Sequence, residues 1–176
     1  MNARLNLWTD LPSDRHKTVD ESHPSIHSKA RQTGRPEKRM SKKETPITRR
    51  YWKTIGGTLI EEFPAVKAGP ENGARVLDAV IIPGGPFEIR LAGSVELTGK
   101  DIVVVQTKAS RLGMYLLGQA LFSRRLMEPF RPSSIRSVAL CTKGDAVLEP
   151  LAKEYGIEVV VIPAAESVAP EEVASR

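Results

Sequence analysis

Asp101-Ile-Val-Val-Val-Gln-Thr-Lys108 is an apolar run closed by two polar side chains, Gln106 and Lys108. Side chains alternate across a strand, so positions two apart share a face. Gln106 and Lys108 are therefore expected to point the same way from the end of a buried strand. A lysine placed there costs free energy unless something anionic uses it. Working back along the chain, Arg75-Val-Leu-Asp-Ala-Val-Ile-Ile82 carries one acid, Asp78, inside a second apolar run. Its two faces, Val76/Asp78/Val80/Ile82 and Leu77/Ala79/Ile81, are apolar apart from Asp78. That pattern predicts a central strand covered on both sides.

The neighbouring segments extend this into an α/β order. Thr48 to Ile55 reads as the last turns of a helix stopped by Gly56-Gly57, and Pro46 is read as interrupting that helix upstream. Thr58 to Val66 reads as a first strand, followed by turn chemistry from Lys67 to Gly73. Phe87 to Leu97 is expected to form a short hairpin extension. Ser110 is a reasonable N-cap for a mostly apolar helix over Arg111 to Met127 that packs on the sheet. A strand over Ile135 to Cys141, a short helix over Asp145 to Tyr155 and a strand over Ile157 to Ile162 complete the pattern.

Charge divides the chain unevenly. Residues 1–50 hold twelve Lys/Arg and six Asp/Glu, whereas residues 51–176 hold fourteen and fifteen. Residues 1–48, polar and without lasting apolar period, are expected to be a disordered basic arm. Residues 49–163 form the domain, and 164–176 a flexible tail. All three histidines, His16, His23 and His27, lie in the arm. The domain therefore builds neither Ser-His-Asp nor Cys-His catalysis, nor a Cys/His zinc site. A single cysteine, Cys141, gives no intrachain disulfide, which suits a reducing cytoplasm. No apolar stretch approaches the roughly 18–20 residues of a membrane span.

What remains is carboxylate, lysine, amide and hydroxyl chemistry. Phosphodiester hydrolysis needs a divalent cation to neutralise charge and acidify water, and a positive group near the scissile phosphate. Asp78 would supply the indispensable carboxylate, Gln106 an amide oxygen, and Lys108 the positive charge, with Mg²⁺ or Mn²⁺ as the cation. Glu61 and Glu62 lie in the first strand; alternation lets only one face Asp78, and periodicity does not choose between them. Arg111, Gln119 and Lys143 are candidates for substrate phosphate. The plainer alternative is that Asp78 is a strand-end acid paired with Lys108 and that the others are ordinary surface residues.

Asp78 and Gln106-Thr107-Lys108 resemble the PD-(D/E)xK nuclease superfamily, with glutamine in the acidic place as in its Mrr-like branch. Gln119-Ala-Leu-Phe122 is similar to the glutamine-and-tyrosine motif of RecB-like nucleases. The resemblance covers residues 49–162. It implies a restriction-endonuclease-like three-layer α/β fold, with a mixed central sheet of about five strands flanked by helices. It also implies a cytoplasmic, Mg²⁺-dependent deoxyribonuclease acting on DNA as a homodimer or beside a partner recognition subunit. The alternative is a catalytically inactive nuclease-fold protein that binds nucleic acid or a protein partner. A Rossmann-like small-molecule binder is a third reading. The sequence departs from the family at Leu77, where proline is expected, and in the first helix, where Glu44 is cut off by Pro46.

Overall fold

A computed structural model describes residues 42–164. The expected arm, apart from its last residues, and the expected tail after Ala164 lie outside the described residues. The chain is α/β, with a six-stranded mixed sheet flanked by three helices. The elements are α1 (Glu44–Ile55), β1 (Thr58–Val66), β2 (Arg75–Ile82), β3 (Glu88–Arg90), β4 (Asp101–Arg111), α2 (Met114–Met127), β5 (Ser134–Lys143), α3 (Leu148–Glu154) and β6 (Ile157–Val161). The strand order is β3-β1-β2-β4-β5-β6. β1 and β2 pair antiparallel, as do β2 and β4, while β4, β5 and β6 run parallel. No helix among the described residues is long and apolar enough to cross a membrane.

Strand alternation builds two cores. Leu59, Ala79, Ile81, Val103 and Val105 turn to one face and bury Ile47, Tyr51 and Trp52 of α1. Ile60, Val80, Ile82, Ile102 and Val104 turn to the other, where Met127 of α2 closes over them. Further along that face, α2 and α3 share a cluster of Leu112, Leu116, Ala120, Ala139, Cys141 and Ala152. Cys141 is buried there, and burial pushes its thiol above the ordinary range.

Three expectations are corrected. First, α1 begins at Glu44, not Thr48, because Pro46 sits in its first turn. A proline there loses only an N–H that has no partner within the helix. Second, the stretch after Phe87 is not a hairpin: β3 adds to β1 in parallel, as the sixth strand. Third, β4 runs on to Arg111 and α2 starts at Met114, so Ser110 is a strand residue and Gly113 takes the N-cap position. Part of the basic stretch belongs to the fold. With α1 in the fold, residues 42–164 hold seventeen Lys/Arg against thirteen Asp/Glu.

Tight turns set where α1 comes back across the sheet. The backbone N–H of Gly56 closes the helix on the Trp52 carbonyl at 2.8 Å. Gly57 follows at φ +81°, and a β-carbon there would overlap the Ile82 carbonyl oxygen. Only glycine satisfies both demands. Trp52 Nε1 then donates to the Gly57 carbonyl at 2.7 Å, and the indole stacks on Phe87 with ring centroids 4.2 Å apart.

Candidate functional site

The antiparallel ladder between β2 and β4 pairs Ile81 with Val103, Val80 with Val104 and Ala79 with Val105. Beyond Ala79 a side chain takes over from the ladder. Asp78 Oδ2 accepts a hydrogen bond from the backbone N–H of Thr107 at 2.8 Å. Asp78 is buried, as are Gln106 and Thr107. The acid of one strand thus holds the middle residue of Gln106-Thr107-Lys108 on the next.

Backbone irregularity explains how Asp78 reaches that donor. Glu61 pairs with Ala79 and Phe63 with Leu77, so Glu62 stands across from Asp78. Ile60 and Phe63, three residues apart, pack into the same cluster, and so do Leu77 and Val80. Regular alternation forbids that on either strand, so each chain slips by one position at this level. Glu62 carries the irregularity in its backbone at φ +51°, a left-handed conformation that non-glycine residues seldom adopt. Such strain persists only where its surroundings over-determine it.

A hydroxyl chain continues from Thr107 to α1. The Thr48 and Thr107 hydroxyls lie 2.8 Å apart, and Thr48 Oγ1 donates to the Glu44 carbonyl at 3.2 Å. A hydroxyl has one proton, which leaves Thr107 as donor in the Thr48–Thr107 bond. Lys108 Nζ meets Glu44 Oε1 at 2.7 Å, in a pair whose side chains are 22% and 11% exposed. Glu44 is the residue that sequence reasoning set aside. The missed signal was the position of Pro46 two residues into the helix, which is compatible with a first turn rather than a break.

Gln106 and Lys108 do not end on one side as expected. Gln106 Nε2 donates to Ser123 Oγ of α2 at 2.8 Å, whereas the Lys108 ammonium goes to α1 on the opposite face. The β2–β4 ladder has already ended at Val105, so the flexible lysine stem can pass the strand edge. Gln106 Oε1 is buried and has no hydrogen-bond partner among the described residues.

The remaining candidates separate. Glu61 is held bidentately by Arg49, Nε to Oε1 and Nη2 to Oε2, both at 2.8 Å. The hydrogen bonds and charge of Glu61 raise the Arg49 pKa. Glu61 therefore belongs to α1's outer side, and Glu62 is the glutamate opposite Asp78. Arg111 and Lys143 are register partners at the exposed C-terminal ends of β4 and β5, with Arg111 Nη1 on the Gly144 carbonyl at 2.9 Å. Gln119 lies one helical turn before Ser123, half-buried, and its Oε1 also lacks a partner among the described residues. Tyr115 and Phe122, about one helical turn to either side of it, are exposed.

The oxygen donors at this end of β4 are divided: the Glu44 carboxylate lies with Lys108 on the α1 face, the Gln106 amide on the α2 face, and the Asp78 carboxylate on the Thr107 backbone. The two carboxylates suit a hard divalent cation in chemistry, and the Gln106 oxygen on the other face would need a partner of its own. No cluster of three or more His, Cys, Asp or Glu side chains suited to a metal occurs among the described residues. No protein-family model, curated protein or solved structure matches this chain.

Proposed function

We propose that this chain is a metal-dependent nuclease of restriction-endonuclease-like fold that hydrolyses DNA phosphodiester bonds at the C-terminal end of β4. The observation that carries the reading is the bond from Thr107 N–H to Asp78 Oδ2, which ties the acid of β2 to the centre of Gln106-Thr107-Lys108. The order of elements supports the fold: a helix, three antiparallel-linked strands, a crossover helix and a parallel strand.

Asp78 and Glu44 would hold Mg²⁺ or Mn²⁺, with Glu44 in the part first given to Glu61 or Glu62, while Gln106, tied to Ser123 on the α2 face, would stay outside the ion's shell. When bound, the cation supplies charge neutralisation at the phosphate and acidifies water. Thr107 N–H fixes the direction of the Asp78 carboxylate. Ser123 holds the Gln106 amide on the α2 face, beneath the strand end that carries Thr107 and Lys108. Lys108, steered by Glu44, brings N–H donors to the phosphate oxygens on which charge accumulates. Arg111 and Lys143 add attraction for the DNA backbone that does not depend on sequence. A second copy or a recognition subunit would supply sequence choice.

The test is cleavage of DNA by the full chain with Mg²⁺ or Mn²⁺, compared with Lys108→Ala. The variant should fold and lose at least about 10²-fold in rate, the scale for removing one preorganised donor. Unchanged cleavage by Lys108→Ala would remove this site from the reaction. A second reading, a nuclease-fold protein that binds nucleic acid or protein without cutting, is favoured by one contact. The lysine that would serve the phosphate is already engaged by Glu44 at 2.7 Å. Wild-type chain that binds DNA but leaves it intact under both metals selects this reading.

A further inference from the structure

Beside the candidate site, α1, β1 and the edge strand β3 enclose a cleft of about 440 Å³, within the range of ligand pockets. Thr45 and Arg49 line it from α1, and Glu61 and Glu62 from β1. Ile89, Arg90 and Leu91 form the opposite wall. It adjoins the site on two sides, since Thr45 follows Glu44 in the helix and Glu62 stands across from Asp78.

We propose that this cleft seats an unpaired nucleobase of single-stranded nucleic acid next to the phosphate handled at β4. The proposal rests on the nuclease reading for that phosphate and adds the form of the substrate. Three properties of the cleft select the ligand. Both of its arginines are ion-paired, Arg49 with Glu61 and Arg90 with Glu88 at 3.6 Å, and Glu62 adds a negative charge to the lining, so it does not favour a phosphate over a neutral group. Its Arg49–Glu61 fork is flat and fixed by two bonds of 2.8 Å, and a guanidinium plane is a stacking platform for a base. Its apolar wall is exposed, Ile89 at 45% and Leu91 at 82%, at the sheet's edge. A flat, neutral ligand with polar edges answers all three. A base inside a duplex would first have to be unstacked to enter, so a strand already single is preferred.

The phosphates belong elsewhere. Lys108, Arg111 and Lys143 follow one another along the C-terminal ends of β4 and β5, where no carboxylate of the cleft intrudes. The backbone would track those cations while one base turns into the cleft. Affinity would then have a salt-dependent part and a stacking part.

Fluorescence anisotropy on the full chain tests this in EDTA, where the proposed hydrolysis cannot proceed. The probes are labelled oligodeoxythymidylate, the same strand paired with oligodeoxyadenylate, and a strand of abasic sites of equal length. The single strand should bind about tenfold more tightly than the duplex or the abasic strand, the scale of one stacked base. Ile89→Ala combined with Leu91→Ala should weaken single-strand binding about tenfold and leave the abasic strand unchanged. Both positions are exposed, and thermal melting of the double variant checks that the fold is intact. Equal affinity for thymidylate and abasic strands, or a double variant that binds thymidylate like wild type, overturns the proposal. Base-dependent binding in a chain that cuts nothing under Mg²⁺ or Mn²⁺ would keep the cleft and remove the nuclease reading. Cleavage with no base dependence in EDTA would do the reverse.

Discussion

The two ends of β4 treat polar groups in opposite ways. At the first end, Asp101 is exposed and its Oδ1 accepts hydrogen bonds from Ser133 and Ser134, at the start of the neighbouring β5. At the other end, Gln106 engages α2, Thr107 engages both β2 and α1, and Lys108 engages α1. Water can replace any partner at the first end. At the second, Gln106 and Thr107 are buried, and a lost partner leaves a desolvated group behind. One end is a capped strand. The other bears a cost in stability that an apolar Val-Val-Val continuation would have avoided, and that is the physical case for a working site.

The sharpest way to break this contrast is Asp78→Ala. It strands the Thr107 N–H and should cost about 1–3 kcal/mol in chemical denaturation while abolishing cleavage. Asp78→Asn keeps an acceptor oxygen, so stability should return while cleavage does not; recovery of both would make Asp78 purely structural. Next is the pair Gln106→Leu with Ser123→Ala, which removes both partners and the orphaned oxygen together. Stability should change little or rise, because deleting both partners for apolar groups is nearly neutral, yet cleavage should fall. A large loss of stability would mean that the amide is there for the fold.

The hydroxyl pair comes third. Thr48→Val and Thr107→Val in a double-mutant cycle should show a coupling of about 1 kcal/mol, measured by urea unfolding. A coupling near zero would mean that α1 is held by its apolar face alone. The smallest effect belongs to the exposed end. The Ser134 and Ser133 hydroxyls hold the Asp101 carboxyl below its ordinary value of 3.8. A folded pKa below the unfolded one means that the charged form is favoured in the fold. The contribution is therefore present at neutral pH and is lost as pH falls through the folded pKa, below 3.8. Asp101→Asn should narrow its stability gap from wild type as pH drops through that region. A gap that widens in acid would contradict the cause assigned here.

Much of this was legible in the chain. Thr58–Val66 fell where the apolar pattern and the following turn residues put it, and Asp78 stood out because it interrupts an otherwise apolar face. Legibility failed where periodicity gives no signal. Glu62 breaks alternation through a backbone torsion, and any residue type can be read through such a break. Ala109-Ser110-Arg111 continues a strand without an apolar side chain to mark it, since only β5 pairs with that stretch. Gln106 and Lys108 share a face by counting, but the strand end lets a long side chain leave by the other side. Glu44 was lost to Pro46, a residue whose effect depends on its distance from the helix start.

The contacts between α1 and β4 also set an order of events as the chain folds. Thr48 and Thr107 are 59 residues apart in sequence, and Glu44 and Lys108 are 64 apart. Closing loops of that length costs entropy before any contact repays it, so such contacts form late. During synthesis α1 leaves the ribosome before any strand of the sheet, and the apolar face of Ile47, Tyr51 and Trp52 is only partly covered until β4 has emerged and paired. Docking of that helix completes both the core and the candidate site, so a chain stalled before Lys108 has neither. The same segment that completes the candidate site at the end of folding is the aggregation hazard at its beginning.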